Sequence, residues 1–246
     1  MSDLTPKISV IMPLNDSAHI IQVGLYSLAS QVNAPPWELI VMDNEIGHLH
    51  EGFFDQHMAS LEDAGCVRLS INIVPTGTSF CRKFGLSARL VDESSRVVVF
   101  QCDDDYIGDN LFRQIYEEHI GFGFGTTYDR WGHFVNIETG QAMLFDQREY
   151  GKPYGLMQRF RADLFRNLPL EDGKWPDAWL WEKMGNKDTG PLIFENDPNS
   201  SVYLNHGRNV SKGRAKFYDN PVPPYSRVSI DEIQIPDQIR NMINRQ

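Results

Sequence analysis

The sequence has few cysteines and lacks a long hydrophobic run. Its three cysteines, Cys66, Cys81 and Cys102, are an odd number without a CxxC pair. This argues against a zinc ribbon or a disulfide framework, so we expect reduced thiols in the core. No apolar run approaches the roughly 20 residues needed to cross a bilayer, and the opening MSDLTPK lacks a charged-then-apolar signal segment. We therefore expect a cytoplasmic protein without a transmembrane segment.

Basic residues are scarce relative to acidic ones. The 246 residues include 33 Asp and Glu against 23 Lys and Arg, which gives a formal net charge of −10. This balance disfavours general binding to nucleic acids or to anionic membranes. Walker, GxSxG and HExxH motifs are absent, so nothing in the sequence supports a nucleoside triphosphatase or a hydrolase.

The hydrophobic content, 41%, is enough for a sizeable core in one large domain. The first hundred residues alternate short apolar runs with longer amphipathic segments, the pattern of βαβ units. We therefore predict an α/β fold with a mostly parallel central sheet flanked by helices. The predicted strands are Ile8–Leu14, Glu38–Met42, Val67–Val74 and Val97–Gln101. The predicted helices are Ala18–Gln31, Phe53–Ala64, Ser79–Val91 and Asn110–His119.

The pattern changes after residue 125. Gly132–Phe145 predicts a hairpin that turns at Thr139-Gly140. We expect one domain over residues 1–220, and then a Pro-rich tail, 221–246, that is extended before a short last helix. Further predicted elements are helices near Ala162–Arg166, Asp177–Met184 and Pro236–Arg245, and a strand at Ser201–Asn205.

Three consecutive carboxylates, Asp103, Asp104 and Asp105, directly follow the apolar run RVVVFQ. Adjacent carboxylates repel one another unless a cation or hydrogen-bond donors neutralise them, and such oxygen ligands suit Mg²⁺ or Mn²⁺. An acidic surface turn that leads into a helix capped by Asp109 is the alternative that the local sequence leaves open.

Polar residues follow two other predicted strands. Asp43-Asn44 comes after WELIVM, and Asn15 with Asp16 comes after ISVIMPL. In an open parallel sheet the carboxyl ends of the strands share one edge, and ligands bind in the crevice beyond it. Polar residues at strand ends also start turns, but three groups on one edge favour a binding site.

The segment Lys7–Asn44, with KISVIMPLNDS and WELIVMDN, resembles the opening of nucleotide-sugar glycosyltransferases of family 2, which have the GT-A fold. The resemblance implies that Asp43 receives the nucleotide base. Gly77–Leu86, GTSFCRKFGL, resembles the Arg-Asn-x-Gly segment of the family through Arg82, but Lys83 stands where Asn is usual. A smaller mixed region on the acceptor side would complete the fold.

The acidic run falls where this family carries its DxD-type motif, although Cys102 occupies a position that is often Asp. The resemblance implies that Asp103 lies near the ribose and that Asp104 or Asp105 is the main metal ligand. His206, after the last predicted strand, would complete the metal shell. The implied cofactor is a divalent metal, Mn²⁺ or Mg²⁺.

The segment Lys174–Met184, KWPDAWLWEKM, resembles the part of the family that carries the catalytic base, and Asp177 is the residue that we expect in this role. Glu171 and Asp172 compete for it, and Asp177 could instead only cap its helix. A partly dry aromatic setting would raise the pKa of the base. Three tryptophans could supply that setting, or could belong to the core: Trp175, Trp179 and Trp181.

The segment Asn205–Lys216, NHGRNVSKGRAK, is basic in an otherwise acidic chain. Cations of this kind stabilise a departing nucleoside diphosphate, and a mobile loop excludes water. A solvated surface loop is the alternative. The residues expected to bind the donor are Pro13, Asn15, Asp43, Arg82, Asp103, Asp104, Arg208, Ser211 and Lys212.

The resemblance implies a metal-dependent transfer of a sugar from a nucleotide-sugar donor, with UDP as the expected nucleotide, to an acceptor hydroxyl with inversion. Residues 1–125 would bind the donor, and residues 126–220 would bind the acceptor and carry the catalytic base. The acceptor is a glycan, a lipid-linked sugar or a small molecule, and a homo-oligomer is possible. A catalytically inactive binding module and, less favoured, a sugar nucleotidyltransferase are the alternatives.

Overall fold

The structure of the protein is a computed structural model. It describes residues 5–14, 21–44, 53–122, 125–150, 158–173, 176–184, 192–194, 196–205, 218, 221, 223 and 225–243. The strands are β1 Ile8–Leu14, β2 Trp37–Asp43, β3 Cys66–Ile73, β4 Val97–Phe100, β5 Tyr106–Ile107, β6 Thr126–Asp129, β7 Trp131–Asn136, β8 Gln141–Asp146, β9 Gln158–Arg161, β10 Leu192–Phe194, β11 Ser201–Asn205 and β12 Tyr225–Val228. The α-helices are α1 Ile21–Ala29, α2 Asp55–Asp63, α3 Phe80–Ser87, α4 Leu111–Phe122, α5 Gln147–Tyr150, α6 Ala162–Phe165, α7 Pro176–Met184 and α8 Asp237–Ile243.

The strands form two sheets within the described residues. The main sheet has seven strands in the order β10-β6-β9-β4-β1-β2-β3. Strand β9 runs antiparallel to both of its neighbours, while the others are parallel to one another. The second sheet has the order β12-β8-β7-β11-β5. It is mixed, because β11 runs parallel to β7 and the other pairs are antiparallel.

Helices cover the main sheet on both faces. Val10 belongs to the hydrophobic cluster that α1, α2 and α4 share, whereas its neighbour Ile11 belongs to the cluster shared with α3, α6 and α7. Successive side chains of a strand point to opposite faces, so a strand buried on both faces must be apolar at nearly every position. This is why β1 reads ISVIMPL without alternation.

Most of the predicted elements are confirmed. Strand β1 has its predicted bounds, and β2, β3 and β4 differ from theirs by one residue at one or both ends. The hairpin is confirmed by β7 and β8, and the strand Ser201–Asn205 by β11. The three cysteines are free thiols, as expected. Among the described residues, no helix combines the length and the apolar character that a bilayer span requires.

The region after residue 220 takes part in the fold. Strand β12 pairs with β8, and Ile233 and Ile239 pack with residues of β5, β7 and β11 in one hydrophobic cluster. The tail therefore supplies an edge strand in addition to the predicted helix. The division into residues 1–220 and 221–246 stays a prediction.

A buried carboxylate at the start of β2 ties four segments together. Glu38 is 1% exposed, and its carboxylate accepts hydrogen bonds from Ser9 Oγ (2.5 Å), the Asp92 backbone N–H (2.8 Å) and Arg68 Nε (2.8 Å). A buried charge persists only when partners of this kind replace water. Arg68 also pairs with Asp92 (3.0 Å) and so closes the network.

Arg68→Met should lower the free energy of unfolding by about 1–3 kcal/mol, because it leaves the buried Glu38 carboxylate without its cation. Arg161→Met is the matched control, since its partner Asp163 is exposed and such a pair contributes less than about 1 kcal/mol. Urea denaturation of the three proteins measures both changes. Equal losses in the two variants would contradict this account of the network.

Candidate functional site

The predicted site residues on the first two strands and the acidic run meet at one edge of the main sheet. Strand β1 lies between β2 and β4, all three are parallel, and Leu14 is the register partner of Asp43. The acidic residues that follow β4 therefore lie beside the end of β1. Asp43 and all three carboxylates of the acidic run are at most 8% exposed: Asp43 4%, Asp103 5%, Asp104 8% and Asp105 8%. A buried acidic cluster of this kind differs from the surface turn considered as the alternative.

Residues 101–105, here called the acidic turn, are braced from within. Gln101 Nε2 donates hydrogen bonds to the carbonyl oxygens of Cys102 (2.8 Å) and Asp105 (2.7 Å). One amide group thus spans the turn and holds its two ends together. Since the side chain is 1% exposed, water does not compete for these bonds.

Helix α1 packs directly on the acidic turn. The Gly24 N–H donates to the Asp103 carbonyl oxygen (3.0 Å), although Gly24 lies inside the helix. A Cβ atom at Gly24 would lie 2.7 Å from that oxygen and 2.8 Å from the carbonyl oxygen of Cys102, so this approach requires glycine. This contact therefore fixes the position of the acidic turn relative to α1.

Helix α1 and Gln31, two residues beyond its end, also hold the chain that leaves the acidic turn. Gln31 Nε2 donates to the Gly108 carbonyl oxygen (2.8 Å), and Gln31 Oε1 accepts from the Phe112 N–H (3.0 Å). Ser27 Oγ accepts from the Ile107 N–H (3.3 Å). Ser27 thus connects α1 to β5, and Gln31 connects the end of the α1 region to Gly108 and to the start of α4. The acidic turn is thus anchored on both of its sides.

Asp105 links the acidic turn to the second sheet. Its Oδ1 accepts a hydrogen bond from the backbone N–H of Leu204 (3.0 Å), the fourth residue of β11. The end of β11 therefore lies against the acidic turn. The predicted metal ligand His206 follows two residues later in the chain, outside the described residues.

The acidic turn brings together a set of possible metal ligands. Cys102 Sγ and carboxylate oxygens of Asp104 and Asp105 all lie within 4.8 Å of one another. Two carboxylates suit the hard ions Mg²⁺ and Mn²⁺, while a thiolate is a softer ligand. The donor set of the two aspartates therefore fits the divalent metal that the sequence predicts.

Lys83 is a site residue that the sequence analysis named only as a departure from the family pattern. It is 0% exposed, its Nζ donates to the carbonyl oxygen of Leu14, and the same atom lies 5.1 Å from the centre of the Phe80 ring. The structure thus places a buried ammonium group at the end of β1, whose last residue, Leu14, is the register partner of Asp43. The signal in the sequence was a lysine on the apolar face of α3.

Arg82 lies next to Lys83 in α3 but faces the surface. Its guanidinium pairs with Asp172 (3.6 Å), whose other carboxylate oxygen accepts from Ser79 Oγ (2.9 Å). Arg82 and Asp172 have side chains that are 45% and 68% exposed, so this pair lies in water. Asp172 therefore lacks the dry setting that would raise the pKa of a catalytic base.

Glu171, the other competitor for the catalytic base, is held by an ammonium group. Its Oε2 accepts from Lys183 Nζ (2.9 Å) and Trp179 Nε1 (3.2 Å). The hydrogen bond from Lys183, and then that from Trp179, lowers the pKa of the Glu171 carboxyl. A lowered pKa makes this carboxylate a weaker proton acceptor, which disfavours it as the base.

Asp177 is the second residue of α7, next to the helix that carries Arg82 and Lys83, but its side chain lies outside the described part. Trp179 is 8% exposed and packs in the hydrophobic cluster of α3, α6 and α7. This tryptophan therefore belongs to the core, the second of the two roles considered for it. Trp175 and the Trp181 side chain are outside the described part as well.

The remaining predicted donor residues divide into two groups. Pro13 is described: it lies in β1 next to Leu14, is buried, and has Met42 as its register partner. The others lie outside the described residues: Asn15, Arg208, Ser211 and Lys212. Their roles stay predictions.

Two further buried groups, Tyr106 and His119, remain uncharged near neutral pH. Burial raises the pKa of Tyr106 to about 12. Burial, and then the charges of Arg159 and Arg161, lower the pKa of His119 to about 3, and its Nε2 lies 2.8 Å from Thr127 Oγ1. Both groups are therefore neutral near pH 7, and the neutral His119 ring pairs with Thr127.

Searches with the sequence alone find no relative: no protein-family model matches the chain, and no curated protein matches it. Solved structures do match. S. aureus TarS 1-349 in complex with UDP aligns with 81% of this chain at 15% identity and a TM-score of 0.61. The mannosyltransferase PcManGT from Pyrobaculum calidifontis, in complex with GDP-Man and Mn²⁺, aligns with 85% of it at 14% identity and a TM-score of 0.57.

This chain has the GT-A fold. At this level of identity the likeness establishes the fold and nothing further. The chain spans 60% of the length of the TarS 1-349 and PcManGT structures. The fold that the sequence predicted is confirmed, and the acidic turn lies at the carboxyl edge of its sheet, where open α/β sheets bind ligands.

Gly24→Ala should lower the free energy of unfolding by about 1–3 kcal/mol, because the new Cβ meets backbone oxygens of the acidic turn. Elsewhere in a helix the same change would stabilise by about 1 kcal/mol. Gly125→Ala is the control, since its Cβ would meet only the flexible end of Leu164. Chemical denaturation compares the variants, and a Gly24→Ala protein that is more stable than the wild type would contradict the packing described.

Proposed function

We propose that the protein transfers a sugar from a nucleotide-sugar donor to an acceptor hydroxyl. The observation that carries this proposal is the buried acidic turn at the carboxyl edge of a GT-A sheet, with Asp43 at the end of β2, two strands away from β4 on the same edge. TarS 1-349 has been solved with UDP and with UDP-GlcNAc, and PcManGT with GDP-Man and Mn²⁺. These complexes support a nucleotide-sugar as the donor, and we take UDP as the nucleotide and family 2 as the family.

The first part of the reaction is the binding of the nucleotide. The Asp43 carboxylate accepts a hydrogen bond from an N–H group of the base. The Asp103 carboxylate accepts hydrogen bonds from the hydroxyl groups of the ribose. Pro13, Asn15 and Arg82 complete the donor side. Lys83 keeps the end of β1 in place through its bond to the carbonyl oxygen of Leu14 and adds a buried positive charge there.

Asp104 and Asp105 are the residues that would hold the divalent ion, with His206 as a third ligand. When bound, Mn²⁺ or Mg²⁺ offsets the negative charge that develops on the nucleoside diphosphate as it leaves. Arg208, Ser211 and Lys212 add hydrogen bonds and positive charge to the same phosphates. The bond from Leu204 to Asp105 orients one of the two carboxylates before the donor arrives.

The transfer itself needs one base. The acceptor oxygen attacks the anomeric carbon, the bond from that carbon to the diphosphate oxygen breaks, and Asp177 takes the proton of the acceptor hydroxyl. The leaving diphosphate carries away the electron pair of the broken bond. Attack from the side opposite the leaving group inverts the anomeric centre.

Asp104→Asn and Asp105→Asn should each weaken Mn²⁺-dependent binding of UDP about a hundredfold, because each removes a charged ligand from a buried site. Asp63→Asn, an exposed carboxylate on α2, is the control and should leave the dissociation constant unchanged. Calorimetric titration with UDP and GDP, each with and without Mn²⁺, measures these effects. Absence of binding by the folded wild type to every nucleotide would overturn the proposed function.

Asp177→Asn should lower kcat by about 10²–10⁴ and leave the dissociation constant of the donor unchanged, because only the proton acceptor is lost. Glu171→Gln and Asp172→Asn should keep kcat within a few-fold, since one carboxylate is paired with Lys183 and the other is exposed. UDP release in the presence of an acceptor gives the rates. A wild type that binds donors but transfers to no acceptor, with Asp177→Asn indistinguishable from it, would instead identify a binding module.

A further inference from the structure

A small cavity lies behind the acidic turn, between the two sheets. Its volume is about 20 Å³, and residues of β4, β5, β9 and β11 line it. Cys102 and Tyr203 are the partly exposed lining residues, and the others are buried. The cavity therefore reaches Cys102, whose Sγ lies within 4.8 Å of carboxylate oxygens of Asp104 and Asp105.

Three lining side chains carry buried polar atoms without a hydrogen-bond partner. Gln158 is 1% exposed, and both its Oε1 and its Nε2 lack a partner. Arg159 Nη1 and Gln101 Oε1 lack one as well. Buried polar atoms are nearly always hydrogen-bonded, so four such atoms around one cavity require an explanation.

The orientation of these groups is fixed by their other contacts. Gln101 Nε2 donates to two carbonyl oxygens, so its Oε1 is the free end of that amide. Arg159 pairs through Nη2 with Asp129, which also accepts from Ser201 Oγ (3.2 Å). Both atoms of the Gln158 amide lack a partner. The amide therefore needs one donor and one acceptor whichever way its oxygen and nitrogen are assigned.

The free atoms define the chemistry of an occupant. Two oxygens, Gln101 Oε1 and Gln158 Oε1, need hydrogen-bond donors. Two nitrogens, Gln158 Nε2 and Arg159 Nη1, need acceptors. An anion would satisfy only the donors, and a cation would satisfy only the oxygens. A hydroxyl group both donates and accepts: it can accept from Gln158 Nε2 and Arg159 Nη1 and donate to one of the two oxygens. A volume of 20 Å³ has room for about one such group.

We propose that this cavity receives a hydroxyl-bearing substituent of the transferred sugar and that Gln158 determines which sugar the enzyme prefers. The inference rests on the proposed function, which brings the sugar to Asp104 and Asp105, and Asp105 is itself a lining residue of the cavity. A site built to hydrogen-bond a hydroxyl rejects an analogue that lacks it, because its buried polar groups then stay unpaired.

The test compares nucleotides with nucleotide-sugars. Dissociation constants of UDP, UDP-glucose, UDP-N-acetylglucosamine, GDP and GDP-mannose are measured for the wild type and for Gln158→Met. We expect the wild type to bind one nucleotide-sugar more tightly than its nucleotide. The affinity ratio is the affinity for that nucleotide-sugar divided by the affinity for its nucleotide. Gln158→Met should reduce this ratio by about tenfold and leave the affinity for the nucleotide unchanged.

Two further variants complete the design. Thr126→Val is the matched control: Thr126 is also buried, its Oγ1 also lacks a partner, and it does not line the cavity. Its ratio should equal that of the wild type. Gln158→Glu keeps the shape of the side chain, removes its N–H donors, and should also reduce the ratio if Gln158→Met does not fold.

The outcomes separate this inference from the function on which it depends. Equal ratios in the wild type and in a folded Gln158 variant overturn the inference while nucleotide binding stands. If Gln158→Met is more heat-stable than the wild type but has the same affinity ratio, the cavity holds only water. This result also overturns the inference. Absence of binding to every nucleotide overturns the inference and the proposed function together.

Discussion

The contact between α1 and the acidic turn is the constraint on which the site depends. Gly24 allows the helix backbone to reach the carbonyl oxygens of Cys102 and Asp103, which no larger residue permits. Gln31 then holds the chain that leaves the turn. A short loop with three carboxylates would otherwise move toward water, since the desolvation of charge favours exposure. The packing of one helix thus keeps the carboxylates at the edge of the sheet.

The acidic turn also links the two sheets. Asp105 receives the N–H of Leu204, and β11 thereby ends against the acidic turn. Asn205, the last residue of β11 and the first of the basic segment, directly follows Leu204 in the chain. Lys83 adds a buried cation at the end of β1. A cluster of four buried carboxylates is tolerable when backbone donors and cations of this kind surround it.

The sequence predicted the first four strands closely because their burial on both faces leaves continuous apolar runs such as Val97–Phe100. It did not predict β5, which has two residues, because its pairing with β11 is a long-range contact that no local pattern encodes. The acidic turn was recognised from its position after a strand. Gln158 was missed, since a polar residue in QRFR indicates an exposed face until the packing of the second sheet is known.

The central claim is that a divalent ion and a nucleotide bind together at the acidic turn. The most direct measurement is paramagnetic broadening of backbone amide signals by trace Mn²⁺, with and without UDP, in the isotopically labelled protein. We predict that the signals of Asp104, Asp105 and Leu204 broaden first and that UDP strengthens the effect. Broadening that is confined to exposed carboxylates elsewhere, or that UDP leaves unchanged, would contradict the account.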